Sequence, residues 1–558
     1  MKKILNLLLI MLPLSYSCSK TFLDEKPLDF LSSENAFITY NDFNASIYNL
    51  YDLVRREFYN GGERRPFDYM YGTDLVYDGQ PSLERHTNMI AAYAPTGGLN
   101  IPLYHWSALY KIVSEANTVL SRIPASSMTD EQKELTEARG RFFRALAYRT
   151  LAYLYGGVPL TLEEVQTPKT DYTRASRDAV YEQVIDDLKY AADHLPEITA
   201  VQDGEISNLA ALHLLSEVYI AHRQYQPAID AASKVIGNSA VGLMQSRFGS
   251  KANQQPGDVY YDLFQQGNQN RKSGNTEGLW VIQFETDVLG GAQLSSAIAG
   301  SYMQERHFAP QFLNLRVSGA GSVSPILYPR SDLSGGRGIG WGISSTYFSD
   351  SIWQDDFDND IRNANHNFVR EFKATNPASP LFGQTISTKT PPPGVKVPNR
   401  YLYAFQSKIT TPGDHPANLF QNQSQLVLKA TAGGTYADQY FFRLAETYLL
   451  RAEAYLGAGR PELAAGDINV VRARAHAAPV SAGRVTLDYI LDERMRELGV
   501  EEKRRLTLMR LGKWYDRVKR CNPYYSDATP TYNLWPIPAA EIERNTSGVL
   551  EQNPGYDN

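Results

Sequence analysis

The residues best suited to ligand chemistry in this chain are aromatic side chains in segments without helical periodicity. Tyr is abundant, with 36 residues beside 22 Phe and 6 Trp. A sugar ring has apolar faces and a polar rim, so a sugar site needs flat aromatic platforms with polar groups nearby. Two irregular segments supply such residues, which are Tyr71, Tyr93 and Asn100 within residues 58–102, and Trp341, Tyr347 and Trp353 within residues 243–437. The pattern predicts ligand contacts there, although local packing is the commoner role for any one ring.

A second candidate site is an acidic stretch in the later segment. Asp356, Asp358 and Asp360 have the first three spacings of a calcium-binding EF-hand loop, in which alternate carboxylates converge on the ion. The sixth position is Ile361 rather than Gly, and the twelfth is Asn367 rather than Glu. The pattern therefore favours a solvated acidic turn, with Ca²⁺ binding as a weak alternative and no other metal site indicated.

Motifs for catalysis or cofactor binding are absent from the sequence. It contains no HExxH, GxSxG, Walker or CxxC motif, and its nine His residues stand singly. Residues 335–342, GGRGIGWG, lack the strand and helix that a dinucleotide-binding loop requires. A net charge of −6 gives no general attraction for nucleic acid. We therefore expect neither an enzyme nor a cofactor; a repeat-built glycoside hydrolase stays a remote alternative, because paired carboxylates need only be close in space.

The first residues have the form of a secretory signal. A basic start is followed by an apolar run over residues 4–14 and then by Cys18, one of two cysteines. A Cys in this position is typical of a lipoprotein acceptor, although Ser15 stands where the strict pattern prefers Leu; ordinary signal cleavage is the alternative. The expected segments are a signal at 1–17 and a lipidated tether at 18–34, with lipid as the membrane anchor.

Helical hairpins form the framework that must position the candidate residues. Residues 440–474 carry apolar and small residues at helical spacing on both sides of a Gly-Ala-Gly break. Gly459 is suited to a left-handed helix cap, and Pro461 to the first position of the next helix. Aligning Tyr219 with Tyr455 reproduces this hairpin in residues 208–236, and residues 141–195 give a further copy. Ala145 and Ala211 in the two earlier copies lie 66 residues apart, which is close to two tetratricopeptide units of roughly 34 residues.

These repeats predict a mainly α fold, a tetratricopeptide-like helical-repeat scaffold. We expect one domain over residues 35–558, with helical blocks at about 35–240 and 438–520 and an extended tail at 521–558. Residues 243–437 are rich in Gly, Ser, Asn, Gln and Pro and read as a long irregular insertion with a few short strands. The residues assigned to the core are Trp106, Trp280 and Trp514.

Five motifs give nearly the whole chain a resemblance to a known family. They are FLDEKP shortly after Cys18, RFFRALAYRTLAYLYGGVPL at 141–160, LLRAEAYLGAGRPELAAGDINVVRARA at 449–475, ILDERMRELGVEEKRRLTLMRLGKW at 490–514 and LWPIPAAEIERNTSGVLEQNPGY at 534–556. Together they resemble the SusD/RagB-type nutrient-binding lipoproteins of the Bacteroidetes outer membrane.

The resemblance implies a function that the residues alone do not give. Such proteins are not enzymes; they bind glycans, or peptides in the RagB branch, at the cell surface and cap a SusC-like TonB-dependent transporter as a hinged lid. By position, the resemblance favours the segment before Trp106, with Tyr93 and Asn100, and the segment around Trp341 as ligand contacts. We therefore expect a lipid-anchored outer-membrane protein that passes oligosaccharide to such a transporter. Peptide binding is the alternative, and burial of Trp341 and Tyr93 would favour it.

Overall fold

A computed structural model describes residues 36–60, 62–79, 87–96, 99–286, 288, 301–317, 323–410 and 412–556. The predicted signal, the tether and Cys18 lie outside the described residues. Within them, the helices of seven or more residues are α1 (Tyr40–Arg55), α2 (Ile101–Arg122), α3 (Asp130–Tyr155), α4 (Arg177–His194), α5 (Asn208–Ala221), α6 (Tyr225–Ile236), α7 (Leu444–Gly457), α8 (Pro461–Arg474), α9 (Leu487–Glu497), α10 (Arg504–Arg510) and α11 (Trp514–Cys521). None of the described helices is long and apolar enough to cross a membrane.

The helices pair as the predicted hairpins, which confirms the tetratricopeptide-like fold. Gly459 has a φ of 73°, and the Arg460 N–H donates to the Tyr455 carbonyl at 2.8 Å. The α5–α6 turn repeats this geometry, because Arg223 has a φ of 60° and the Gln224 N–H donates to the Tyr219 carbonyl at 2.8 Å. The Tyr219–Tyr455 alignment therefore identifies equivalent positions in two copies of one structural unit.

The two helical blocks pack together although the long insertion separates them in sequence. Ile220, Ala228 and Ile229 of α5 and α6 form one apolar cluster with Leu450 and Ala454 of α7. Small Ala side chains at this seam let the helices approach closely, so the hairpins stack as neighbouring repeats do. Further core is formed by the predicted tryptophans Trp106, Trp280 and Trp514, which are at most 4% exposed.

The described strands are short and do not form one large sheet, and all but the first and the last lie in the insertion. The described strands are β1 (Val76–Asp78), β2 (Gly278–Ile282), β3 (Gly342–Ser344), β4 (Phe368–Val369), β5 (Glu371–Lys373), β6 (Thr385–Ser387), β7 (Phe405–Gln406), β8 (Phe420–Asn422), β9 (Val427–Leu428) and β10 (Gln439–Arg443). They form five antiparallel pairs, β1–β3, β2–β10, β4–β7, β5–β6 and β8–β9. The irregular insertion with a few short strands is thus confirmed.

Two boundaries differ from the sequence prediction. Residues 439–443 form strand β10 instead of the start of a helix, because Tyr440 and Phe442 pair with Val281 and Trp280 of β2. The C-terminal tail is not wholly extended, since it contains a short helix at Ala539–Arg544. It is tied to the body at Trp535, which is fully buried and donates its backbone N–H to the Leu154 carbonyl at 2.6 Å.

Candidate functional site

Strands β1 and β3 join the first irregular segment to the insertion. Asp78 pairs with Gly342, and the Gly79 N–H donates to the Trp341 carbonyl at 2.7 Å. A Cβ on Gly79 would lie 2.6 Å from the Gly340 carbonyl oxygen, so this close approach requires glycine. The strand pair thereby brings Asp78 beside Trp341 across more than 260 residues of sequence.

An arginine covers the ring of Trp341. The Arg64 guanidinium lies 5.2 Å from the Trp341 ring centre and 5.6 Å from that of Tyr71. Its Nη2 donates to Asp78 at 2.6 Å, while Nε and Nη1 have no hydrogen-bond partner among the described residues. The Arg64 side chain is only 12% exposed. Because these two nitrogens are buried, Arg64 acts on a ligand through its positive charge and through its contact with the Trp341 ring rather than through these two donors.

His307 contacts the side chains of both Tyr71 and Trp341. Its Nε2 faces the Glu63 carbonyl at 2.7 Å, and its Nδ1 faces the Tyr71 hydroxyl at 2.5 Å. Burial, and then the positive charge of Arg64, lower the pKa of His307 well below its usual value, so the ring is neutral. Because a carbonyl can only accept, Nε2 carries the proton and Nδ1 accepts from Tyr71. This arrangement fixes Tyr71 and, through an edge-to-face contact at 5.0 Å, Trp341.

A stacked pair of tyrosines lies on the other face of strand β1. The rings of Tyr77 and Tyr524 are 4.5 Å apart with an interplanar angle of 22°. Tyr77 is half-buried, and Tyr524 is 40% exposed. Burial, with a smaller effect of Tyr524, raises the pKa of Tyr77 to about 12, so its hydroxyl stays protonated near neutrality. The pair presents a partly exposed aromatic surface with hydroxyl groups at its edge.

Three of the predicted ligand contacts are core residues, which corrects the expectation that they form exposed platforms. Tyr71, Tyr93 and Trp353 are at most 1% exposed. The hydroxyl of Tyr93 accepts from Arg505 Nη2 at 2.5 Å, and the indole N–H of Trp353 donates to the Phe348 carbonyl at 2.9 Å. Tyr and Trp suit a core when the polar tip finds a partner, as it does here.

The other predicted contacts have mixed positions. Trp341 is 8% exposed and joins Tyr71 beneath Arg64. Tyr347 is half-buried, donates its hydroxyl to Asp492 at 2.9 Å, and has its ring contact with Arg517 instead. Asn100 is exposed at the start of α2, with a φ of 48°. The structure thus brings Tyr71 and Trp341 together, and ligand binding by Asn100 and Tyr347 stays a prediction.

The acidic stretch does not form a converging set of carboxylates. Asp360 is buried in a bidentate pair with Arg362, and Asp356 accepts the Ala478 N–H, whereas Asp358 is exposed. In the part of the chain that the structure describes, no group of three His, Cys, Asp or Glu side chains is placed to hold a metal ion. The calcium alternative gains no support, and the expected solvated turn is wrong for Asp360, because arginine neutralises its charge inside the protein.

Sequence reasoning missed Arg64, His307 and Tyr524 as parts of this site. Arg64 lies in the run GGERRP, where a charged pair inside a Gly-rich loop was the available signal. Nothing in the sequence indicates that Tyr524 stacks on Tyr77, because 447 positions separate them.

Comparison with known proteins identifies the family. A family model described as "SusD family" matches residues 264–556, which is more than half of the chain. The chain belongs to the SusD family. A second model, described as "Starch-binding associating with outer membrane", matches residues 22–220. The SusD-family assignment from sequence motifs is therefore confirmed.

Individual SusD-family proteins are similar over different lengths. SusD-like protein P25 of Formosa agariphila is 23% identical over 590 residues, covering 97% of this chain and 97% of that protein. Starch-binding protein SusD of Bacteroides thetaiotaomicron is 36% identical over 140 residues, covering 23% and 24% of the two chains. The solved structure of a laminarin binding SusD-like protein matches with a TM-score of 0.67 and 23% identity, covering 93% of this chain and all of that one. This structural similarity establishes the fold.

Proposed function

We propose that the protein binds oligosaccharide at the cell surface, at the site formed by Arg64, Trp341, Tyr77 and Tyr524. The observation that carries the proposal is the stacked Tyr77–Tyr524 pair, because it supplies a partly exposed aromatic surface next to Asp78, which follows Tyr77 in β1 and accepts from Arg64. Stacking on such rings, with hydrogen bonds from guanidinium and hydroxyl groups, suits a sugar ring. The starch-binding and laminarin-binding proteins named above support this ligand class.

Binding without catalysis is the activity that the site favours. Both described carboxylates at the site form ion pairs, Asp78 with Arg64 at 2.6 Å and Glu63 with Arg306 at 2.5 Å. Both carboxylates are therefore occupied by arginine, whereas glycoside cleavage needs one acid that gives up a proton and a second that acts as base or nucleophile.

The peptide alternative also has one observation in its favour. Trp341 and Tyr93 are 8% and 1% exposed, so the two rings expected to stack on sugar are largely unavailable. A peptide site depends more on backbone hydrogen bonds than on ring platforms. The Tyr77–Tyr524 surface outweighs this observation, because it supplies a platform in their place.

Calorimetric titration of the soluble protein with neutral and acidic oligosaccharides and with a mixed peptide digest tests the ligand class. We expect a glycan to bind, with the affinity reduced about tenfold or more in Tyr524→Ala, since one stacking contact is worth about 1–3 kcal/mol. Tyr48→Ala is the matched control, because Tyr48 is a 57% exposed tyrosine on α1. Heat from the peptide digest alone would refute glycan binding.

We further propose that lipid on Cys18 anchors the protein to the outer membrane and that it serves as the lid of a SusC-like TonB-dependent transporter. Family membership and the match to a model described as outer-membrane associating support both points. Cys18→Ala should abolish palmitate labelling and release the protein from membranes, and the tagged native protein should copurify with a transporter barrel. Copurification with no such barrel would count against the lid.

A further inference from the structure

Four arginines of the insertion lie close together next to this site. Arg306 and Arg337 donate to the carbonyls of Ala432 and Ala430, and the Arg330 carbonyl accepts from Leu428 in the same segment. Arg400 donates to the carbonyl of Ile339, whose N–H donates to the Arg306 carbonyl. Burial, together with the positive charges of Arg306 and Arg330, lowers the pKa of Arg337 to about 10, and Arg400 adds to the effect. Burial lowers the pKa of Arg400 as well, and the charges of Asp78 and Arg64 have smaller effects on it. We call these five residues the arginine surface: Arg64, Arg306, Arg330, Arg337 and Arg400. All five are half-buried, so they are neither sealed in the core nor spread through open solvent.

The charge of the arginine surface is only partly balanced. Arg306 pairs with Glu63, and Arg64 pairs with Asp78. Two other guanidinium groups donate to neutral backbone carbonyls. Arg337 Nε donates to the Ala430 carbonyl at 3.0 Å, and Arg400 Nε donates to the Ile339 carbonyl at 2.6 Å. Among the side chains that the structure describes, only Glu63 and Asp78 form ion pairs with these five guanidinium groups, and a third carboxylate, that of Glu305, accepts the backbone N–H of Arg337 at 3.0 Å.

Arg330 is the clearest case of an unused charge. Its guanidinium makes no hydrogen bond or ion pair with the side chains that the structure describes, although its backbone carbonyl accepts from the Leu428 N–H at 2.8 Å. Arg64 adds a positive charge, although its Nε and Nη1, which have no partner among the described residues, are buried. Half-buried cations that repel one another and keep free donors are costly unless an anion binds them.

The segment between Arg330 and Arg337 also borders a cleft with a volume of about 460 Å³. Ser331, Leu333, Ser334 and Gly335 line it, and its aromatic lining includes Tyr261, Tyr328 and Phe372. The cleft combines ring surfaces with positive charge at its border. A neutral sugar uses the rings alone, whereas a sugar acid or sulfate ester uses both.

We propose that the arginine surface recognises the carboxylate or sulfate groups of an acidic oligosaccharide, so that the ligand is an anionic glycan rather than a neutral one. The inference rests on the proposed function, because it assigns the ligand class of the same site. A guanidinium presents two parallel N–H donors that match the two oxygens of a carboxylate or sulfate. Arg330 and Arg337 supply the charge, and the cleft that the segment between them borders supplies the ring contacts.

Two matched pairs of probes separate charge from sugar shape. Oligogalacturonates and their methyl esters differ in carboxylate charge, and dextran sulfate and dextran differ in sulfate. We expect at least one charged probe to bind about tenfold or more tightly than its neutral partner. The advantage should shrink when NaCl rises from about 50 mM to about 500 mM, because salt screens exposed charges. Preference for the carboxylate or for the sulfate pair identifies the anion.

Variants connect the charge effect to these arginines. Arg330→Gln/Arg337→Gln should weaken charged-probe binding about tenfold or more while leaving neutral-glycan binding unchanged. Arg330→Gln alone is the folding check, because the native guanidinium has no internal contact to lose, and Arg330→Lys should restore part of the binding. Arg484→Gln is the matched control, since Arg484 is 59% exposed and pairs with Asp355 away from this surface.

The outcomes distinguish this inference from the function on which it rests. If neutral glycans bind as tightly as charged ones, or if the double variant binds the charged probe like the wild type, the anionic-glycan inference is overturned and glycan capture stands. If no glycan binds and only the peptide digest gives heat, both fail. Equal loss in Arg484→Gln would mean that the probe responds to net charge, which also overturns the assignment to this surface.

Discussion

Two groups of arginines in this molecule differ in how their charge is balanced. The buried network consists of Arg362, Arg443, Arg474, Glu277, Glu493 and Glu497, none of which is more than 2% exposed. The arginine surface is half-buried, and only two of its five guanidinium groups, those of Arg64 and Arg306, form ion pairs with side chains that the structure describes. The network balances every positive charge at close range, and the surface does not.

Glu497 is the centre of the buried network. Its carboxylate lies 2.6 Å from Arg443 and 3.0 Å from Arg362, and it also contacts Arg474. Burial would raise the pKa of Glu497, but Arg474, Arg443 and Arg362 hold it well below its usual value. These side chains come from α9, β10, the insertion and α8, so the network joins the insertion to the helical block.

The comparison teaches that the balance of charge, and not the number of arginines, separates a structural cluster from a candidate ligand site. A charge in the core is tolerated when a partner of opposite sign is in contact with it. An excess of charge of one sign is tolerated only near the surface, where water solvates it. There it attracts an oppositely charged ligand.

The largest expected effect comes from removing the central carboxylate. Glu497→Gln leaves three buried guanidinium groups short of one negative charge and should lower the free energy of unfolding by about 3–5 kcal/mol. Urea denaturation measures it. Glycan binding by the protein that remains folded should be unchanged, because Glu497 is not part of the arginine surface.

Glu115→Gln provides the matched control for that variant. Glu115 pairs with the exposed Lys111 on α2, at 2.7 Å, and exposed helical pairs of this kind contribute about 0.3–0.5 kcal/mol. If Glu497→Gln lowered the free energy of unfolding no more than Glu115→Gln, the buried network would not stabilise the contact between the insertion and the helical block. The contrast between the two arginine groups would then disappear.

The sequence predicted the helical scaffold because local signals specify it. Gly459 and Pro461 mark one hairpin, and the Tyr219–Tyr455 alignment marks its copy; these are contacts between near neighbours. Strand β10 was missed because its partner, β2, lies more than 150 residues earlier in the chain. Apolar periodicity in a short run cannot separate a strand from a buried helix, and here the long-range partner decides.

The site was less predictable for the same physical reason. Trp341 was predicted as a ligand contact because it lies in one of the two irregular segments. The sequence did not identify Arg64 next to Trp341 or Tyr524 next to Tyr77. Residues such as Tyr71 and Tyr93 have the composition of a sugar platform, yet His307 and Arg505 bind their hydroxyls inside the core. Residue type indicates what a ring can do, and only its neighbours determine whether it is exposed.

Low pH should weaken the buried network but not the arginine surface, with a somewhat smaller effect on the free energy of unfolding than Glu497→Gln. Burial would raise the pKa of Glu493, but Arg496, Arg362 and Arg472 lower it from 4.5 to about 2. Because the folded-state pKa is below the unfolded one, this stabilisation is present above pH 4.5 and is lost as the pH falls from 4.5 to 2. A shift of this size corresponds to about 3 kcal/mol.

Urea denaturation between about pH 5.5 and about pH 3 should show about 2 kcal/mol of that loss, because the remainder is lost only at lower pH, and binding of a sulfated probe over the same range gives the contrast. The arginine surface keeps its charge there, because even the lowered pKa of Arg337, about 10, lies far above this range. Binding by the folded fraction should therefore hold while the fold weakens. Stability that stayed constant down to pH 3 would mean that the arginines do not hold Glu493 ionised, and binding that fell with stability would show that the two groups are not independent.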